Sequence, residues 1–168
     1  MFKRLARRPS PALIVALLAL FAGTAGVTYA ATQGPPSFTS HGVASVAAGS
    51  NGALLPITGA NSSALSNHGM TIASSTAVAV PAGGNYLLTI NGNCNGGATD
   101  TSLQVREGTG LPGSKVDLFV GFEGNPTLAG STTVHLPAGT RLNMAAVHGG
   151  TTVNCGATLG VSLLSADA

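Results

Sequence analysis

The sequence predicts an all-β protein built as an antiparallel sandwich of short strands. From residue 51 onward, short apolar and β-branched runs recur at near-regular spacing. Clusters of turn residues separate these runs, most clearly at residues 81–85 and 137–139, where Pro and Gly occur together. No run has a convincing helical period, so a sandwich or barrel is the architecture to expect.

Residues 1–30 have the pattern of a secretory signal peptide. A basic start with Lys3, Arg4 and Arg7 precedes an apolar run over residues 11–21, and small residues lead to Ala30. Cleavage after Ala30 is therefore expected. The alternative is an uncleaved signal anchor, although the apolar run is short for a span of ~20 residues. No other stretch is apolar enough to cross a membrane.

The remaining chain is predicted to contain a linker and one domain. Residues 31–50 are rich in Ser, Thr, Gly and Ala without clear periodicity, which is typical of a linker. Gly34-Pro35-Pro36 is a single collagen-type triplet, too short for a triple helix. Residues 51–168 are long enough to bury one hydrophobic core.

Within residues 51–168 the strands follow in order. Residues 60–69 and 91–97 are rich in polar and turn residues and are predicted as loops. Residues 76–80 and 86–90 form a strand–turn–strand unit in which Tyr86, Leu88 and Ile90 share one face. The other predicted strands cover residues 52–58, 71–72, 102–106, 115–123, 132–136, 142–147 and 159–164.

Charge excludes one class of partner. Only 7% of the residues are charged, where an ordinary soluble domain has roughly 25%. Four of the seven basic residues lie in the leader, so three basic and five acidic residues remain after it. A nucleic-acid-binding protein needs clustered Lys and Arg. Such binding is therefore not expected.

Cys94 and Cys155 are the only cysteines, and both lie among Gly and Asn residues. An even count in an exported chain predicts a structural disulfide. The alternatives are a metal pair or a catalytic thiol. A zinc site needs about four ligands with local Cys and His pairing, and His148 is the nearest histidine to Cys155.

Other chemistry has little support in the sequence. No nucleophile elbow accompanies His41, His68, His135 and His148, so no enzyme activity and no cofactor are expected. Asp100, Asp117 and Glu123 could contribute to a calcium site, but they lack the spacing of a calcium loop and no metal is expected. Asn61-Ser62-Ser63 is an N-glycosylation sequon in a predicted loop.

Three segments resemble the C1q/TNF-like jelly-roll superfamily. These are residues 55–91 with the PAGGNYLLTI unit, residues 131–147 (STTVHLPAGTRLNMAAV), and the closing run TLGVSLLS at residues 158–165. Among members, the chain resembles the C-terminal heads of bacterial collagen-like spore-surface glycoproteins, here without the collagen stem. The resemblance implies a ten-stranded jelly roll that forms a homotrimer.

The trimer predicts roles for four residues. Tyr86 and Leu88 are expected in the core or at the trimer axis. Phe119 and Leu164 fall on the second face of their strands, where an apolar side chain indicates an interface. The alternative is a monomeric sandwich in which loops cover those side chains.

Two functions remain open. The first is a secreted or surface-associated structural or display protein that forms a homotrimer. The second is an extracellular head that binds a carbohydrate or protein through loops at one end of the jelly roll. The low charge and the Ser, Thr and Gly content favour the first, because recognition sites usually contain aromatic or Arg anchors.

Overall fold

Eleven β-strands make up the regular secondary structure of residues 34–47, 52–95, 101–108, 114–122 and 127–168, which are the residues described in the computed structural model. In chain order they are β1 Ser37–Val46, β2 Ala53–Leu55, β3 Ser62–His68, β4 Thr71–Ser74, β5 Ala77–Ala79, β6 Gly84–Asn95, β7 Thr101–Glu107, β8 Val116–Phe122, β9 Thr127–Leu136, β10 Arg141–His148 and β11 Val153–Ala166. The predicted all-β fold class is confirmed. The signal peptide, residues 1–30, lies outside the described residues and stays a prediction.

The strands form two antiparallel sheets. The five-stranded sheet has the order β3-β1-β11-β6-β9. The six-stranded sheet has the order β4-β5-β10-β7-β8, with the short strand β2 also paired to β10. The two main paths contain five strands each, which agrees with the expected ten-stranded jelly roll, and β2 is an additional strand. None of the described ranges contains a helix with the length and hydropathy that crossing a bilayer requires.

The hydrophobic core lies between the sheets. Tyr86, Leu88 and Ile90 alternate inward along β6, and Leu159 and Val161 do the same on the neighbouring strand β11. Burying each large side chain of this kind stabilises the fold by about 1.5–3 kcal/mol. The period-two pattern that predicted the inner face of β6 is confirmed.

The predicted linker over residues 31–50 is wrong for residues 37–46, which form β1. This strand lies between β3 and β11, and Phe38 and Val46 are fully buried. The local sequence does not show this alternation, because two of the inward positions between Phe38 and Val46 hold Ser40 and Gly42. The domain therefore begins earlier than residue 51.

Two segments predicted as loops are also strands. Ser62–His68 pairs with β1 as the edge strand β3, although its side chains are mainly polar. Strand β6 continues to Asn95 through the turn-rich run because β9 and β11 pair with it on both sides. Backbone pairing in the sheet outweighed the local turn preference of Asn and Gly.

The predicted strand–turn–strand unit at residues 76–90 is not a hairpin. Strand β5 belongs to the six-stranded sheet and β6 to the five-stranded sheet, so the turn between them crosses the sandwich. The turn at residues 137–139 crosses it in the same way. Two backbone hydrogen bonds join these crossings: the Val80 amide donates to the Thr140 carbonyl at 3.0 Å, and the Gly139 amide donates to the Val80 carbonyl at 2.8 Å.

The predicted disulfide is confirmed. Cys94 on β6 and Cys155 on β11 are direct cross-strand partners and are bonded to each other. The bond spans a sequence separation of 61 residues, for which the chain-entropy model gives a stabilisation of about 4 kcal/mol.

Candidate functional site: an uncharged sheet face and an aromatic edge

The outward face of the five-stranded sheet carries no charged side chain. None of its five strands contains Asp, Glu, Lys or Arg. We call this surface the uncharged face; it is built on the outward positions of β1, β11 and β6, which are Thr39, His41, Val43, Gly156, Thr158, Gly160, Leu87, Thr89 and Asn91. Its groups are small, mostly polar and uncharged, so they cost less to remove from water than charges would.

His41 and Thr158 mark the middle of the uncharged face. They are direct partners across β1 and β11, and His41 Nδ1 lies 3.1 Å from Thr158 Oγ1. The imidazole lies over Gly156, where a Cβ would come within 3.5 Å of the ring. This is an ordinary van der Waals distance, so the ring lies in contact with the sheet surface.

Two apolar side chains project from the same sheet. Val43 is 42% exposed on β1, and Leu164 is 57% exposed near the end of β11. Leu164 is the extra residue of a β-bulge, since the pairing with β6 shifts between Leu163 and Ser165. A bulge redirects a side chain out of the regular alternation.

Phe119 lies on a different surface. It is on β8, the edge strand of the six-stranded sheet, and is 61% exposed. Its ring lies against Gly121, where a Cβ would approach its Cε1 atom to 2.7 Å. At this side of the sandwich β8 meets β9, with Val120 packed against Gly130. We call this side, with Phe119, the aromatic edge.

The charged side chains of the described strands collect on the six-stranded sheet. Lys115 Nζ lies 2.6 Å from a Glu107 carboxylate oxygen and 2.9 Å from Asp117 Oδ1. The Asp117 side chain is only 1% exposed. Burial raises the pKa of the Asp117 carboxyl, although Lys115 opposes this effect, and the two carboxylates raise the pKa of Lys115.

The four predicted packing residues separate into two groups. Tyr86 and Leu88 are fully buried in the core of a single copy. The Tyr86 hydroxyl donates to the Ala82 carbonyl at 2.8 Å, and burial raises its pKa. Phe119 and Leu164 are exposed, so in one copy they are free to contact a partner. The sequence does not point to His41 and Val43, because the composition of residues 31–50 predicts a linker there and not strand β1.

Among the residues that the structure describes, the histidines make no arrangement that resembles a hydrolytic triad. His148 Nδ1 lies 3.1 Å from Thr101 Oγ1, and the exposed His135 Nε2 lies 3.0 Å from Asp167 Oδ1. Within the described ranges, no three His, Cys, Asp or Glu side chains are grouped so that they could hold a metal ion. Asp100 and Glu123, considered for a calcium site, lie outside these ranges.

Comparisons with known proteins identify the fold. No protein-family model matches the chain, and no curated protein sequence matches it. The Eiger TNF structure from S. frugiperda matches 80% of the chain and 96% of its own length, with a TM-score of 0.60 at 14% identity. The globular domain of zebrafish complement 1qA covers 79% of the chain and 99% of its own length, with a TM-score of 0.56 at 13% identity.

A third solved structure has a similar fold. The PRD1 vertex protein P5 covers 78% of the chain and 98% of its own length, with a TM-score of 0.61 at 14% identity. Likeness at this level of identity concerns the fold. The chain therefore has the C1q/TNF-like jelly-roll fold that the sequence resemblance implied.

Proposed function

We propose that this C1q/TNF-like chain is an exported structural or display protein that assembles into a homotrimer and has no catalytic role. The observation that carries the proposal is the uncharged face: one whole sheet lacks Asp, Glu, Lys and Arg. Covering a charge with another subunit costs several kcal/mol unless it is paired. The five-stranded sheet is therefore the surface that a second copy covers most easily.

The positions of the apolar side chains favour a ring. Val43 and Leu164 project from the uncharged face, whereas Phe119 projects from the aromatic edge. A contact between the edge of one copy and the face of the next uses two different surfaces. Such a heterologous contact closes into a ring when the rotation allows it. Three copies per ring is the number that the C1q/TNF-like resemblance implies.

The proposed location rests on the leader and the disulfide. The predicted signal peptide at residues 1–30 directs export, and the Cys94–Cys155 bond suits an oxidising compartment. The resemblance to heads of bacterial collagen-like spore-surface glycoproteins supports attachment at a bacterial cell or spore surface. The sparse charge of the chain suits a molecule that packs beside copies of itself.

Light scattering on two charge-introducing variants tests the ring. In dilute solution the wild-type mature chain should have the mass of three copies, and Phe119→Asp and Leu164→Asp should each have the mass of one. Each change places a carboxylate where the proposal has an apolar contact. An unchanged mass for both variants, or a wild-type mass of one copy, contradicts the assembly.

Ile72→Asp is the matched control. Ile72 is an exposed apolar residue on β4, the edge strand at the opposite end of the six-stranded sheet from β8. This variant should keep the trimer in dilute solution. A glycan array on the wild-type trimer tests the alternative function, since reproducible saturable binding would favour a recognition head.

A further inference from the structure

The side of the sandwich opposite the aromatic edge is formed by two consecutive edge strands. β3 is at the end of the five-stranded sheet and β4 at the end of the six-stranded sheet, farthest from β9 and β8. We call this side, formed by β3 and β4, the rim. β3 pairs with β1 on one side, and among the described residues no strand pairs with its other side.

The rim is mainly polar, carries two exposed apolar side chains and has no Asp, Glu, Lys or Arg. Leu65 on β3 is 62% exposed and Ile72 on β4 is 38% exposed. Leu65 is the extra residue of a bulge, because Ser66 and Ala64 pair with the successive β1 residues Thr39 and Ser40. Neither strand contains a charged residue or a proline. Lysine, proline, inward charges, bulges and short length are the features by which edge strands avoid pairing; of these, β3 has only the bulge at Leu65, and β4 is four residues long.

We infer that the rim binds the rim of a second copy, with the two β3 strands antiparallel about a twofold axis. The unpaired backbone groups of an edge strand select an extended strand as partner. The β3 strand of a second copy is equally free of charged residues. Pairing between the two β3 strands therefore meets no repulsion between like charges. Leu65 and Ile72 of both copies would lie at the contact.

This inference rests on the proposed ring and extends it. In the ring, the aromatic edge of each copy contacts the face of the next, so the rim on the opposite side of each copy points outward. A threefold ring whose three rims each join another ring through a twofold contact continues as an open sheet of rings. The proposed surface protein would then form a continuous layer instead of separate trimers.

Sedimentation velocity over a concentration series tests the rim contact. The wild-type chain should form species of twice the ring mass and larger as concentration rises. Leu65→Lys should remain at the ring mass, because the substitution places like charges against each other across the twofold axis. The control Ala138→Lys places the same charge in the exposed turn between β9 and β10, away from the rim, and should associate as the wild type does.

Cross-linking gives a second measurement. Because Cys94 and Cys155 are bonded to each other and are the only cysteines, Leu65→Cys introduces a single free thiol. Under mild oxidation it should form disulfide-linked pairs of chains, and Ala138→Cys should not. A wild type that stays at the ring mass at all concentrations, or a Leu65→Lys variant that still associates, overturns the inference.

Failure of the ring and failure of the rim contact give different results. Phe119→Asp removes the ring but leaves the rim, so in concentrated solution this variant should form pairs that Leu65→Lys abolishes. Pairs of this kind from a wild type that never forms trimers would sustain the rim contact and contradict the ring. Stable trimers that do not join would sustain the ring and contradict the rim contact.

Discussion

Small residues on the inner face of β1 make room for the chain that passes beneath it. The Ser40 hydroxyl donates to the Ile57 carbonyl at 2.7 Å, so this buried polar group is satisfied. Gly42 lies directly against the Pro56 backbone, and a Cβ at residue 42 would overlap the Pro56 carbonyl oxygen. On the inner face of β1, the larger apolar side chains therefore lie at the ends of the strand, at Phe38 and Val46.

Replacing Gly42 with Ala should destabilise the fold by about 2 kcal/mol, because the added methyl group meets backbone that cannot move aside cheaply. Urea unfolding monitored by circular dichroism measures the loss. Gly156→Ala is the control: it is on the neighbouring strand, and its nearest contact would be an ordinary 3.5 Å to His41. Equal stability of the two variants would show that the Pro56 backbone does not constrain residue 42.

Asp117 is an ionisable residue at a buried position, where a neutral side chain would cost less free energy to remove from water. Its side chain is buried, and its carboxylate oxygens have no hydrogen-bond partner beyond the ionic contact with Lys115. It is the extra residue of a bulge, because Val105 and Arg106 pair with Leu118 and Val116. The bulge explains why the alternation along β8 did not predict a buried carboxylate.

Stability should fall as pH rises through the raised pKa of Asp117. Burial raises this pKa above the ordinary 3.8, so the folded state holds the proton more tightly than the unfolded chain. The stabilising effect is complete below the unfolded pKa and is lost as pH rises through the folded one. Asp117→Asn should remove this decline in thermal melts at stepped pH. Lys115→Met should make the decline of stability with pH steeper, because it removes the cation that opposes the raised pKa of Asp117. The same dependence of stability on pH in the wild type and both variants would show that Asp117 is not its cause.

At the scale of elements, regular alternation was readable from sequence and bulges were not. Strands β7, β8 and β10 lie where their alternating residues predicted them. Leu65, Asp117 and Leu164 are each the extra residue of a bulge, which depends on the partner strand. A single sequence does not specify which partner a strand will have, so none of these bulges could be predicted from it.

Partners also explain why β1 was missed. Its inward Ser40 and Gly42 suit the passage of residues 56–57 beneath the strand, a contact that local sequence does not reveal. The local sequence likewise does not reveal what the turn at residues 81–83 connects, because its Pro and Gly are compatible both with a hairpin and with a crossing between the two sheets. Local chemistry predicted the turn, and tertiary packing decided which strands it connects.

A truncation separates the predicted domain boundary from the observed one. The fragment 51–168 lacks β1, which pairs with β3 and β11, and should be unfolded or aggregated. The fragment 35–168 keeps β1 and should give the β-sheet circular dichroism and the cooperative melt of the mature chain. A cooperative melt of fragment 51–168 at the same temperature would show that β1 is dispensable.

At the scale of the whole molecule, charge is divided between the two sheets. Composition showed that charges were few, but it could not show that the described strands place them on one sheet only. That division appears once β1, β3, β6, β9 and β11 are seen to share a sheet. It gives the sandwich one surface suited to burial by another copy and one that carries the ion pairs of Lys115.

An assembly through the uncharged face should be insensitive to salt. Screening acts on charges, so the trimer dissociation constant should change by less than about threefold between ~0.05 and ~0.5 M NaCl. Thr158→Lys provides the contrast, because it places a cation at the middle of the face, beside His41. This variant should weaken assembly by roughly 3 kcal/mol. Sedimentation equilibrium measures both effects, and a wild-type constant that rises tenfold or more with salt would mean that charged groups form the contact.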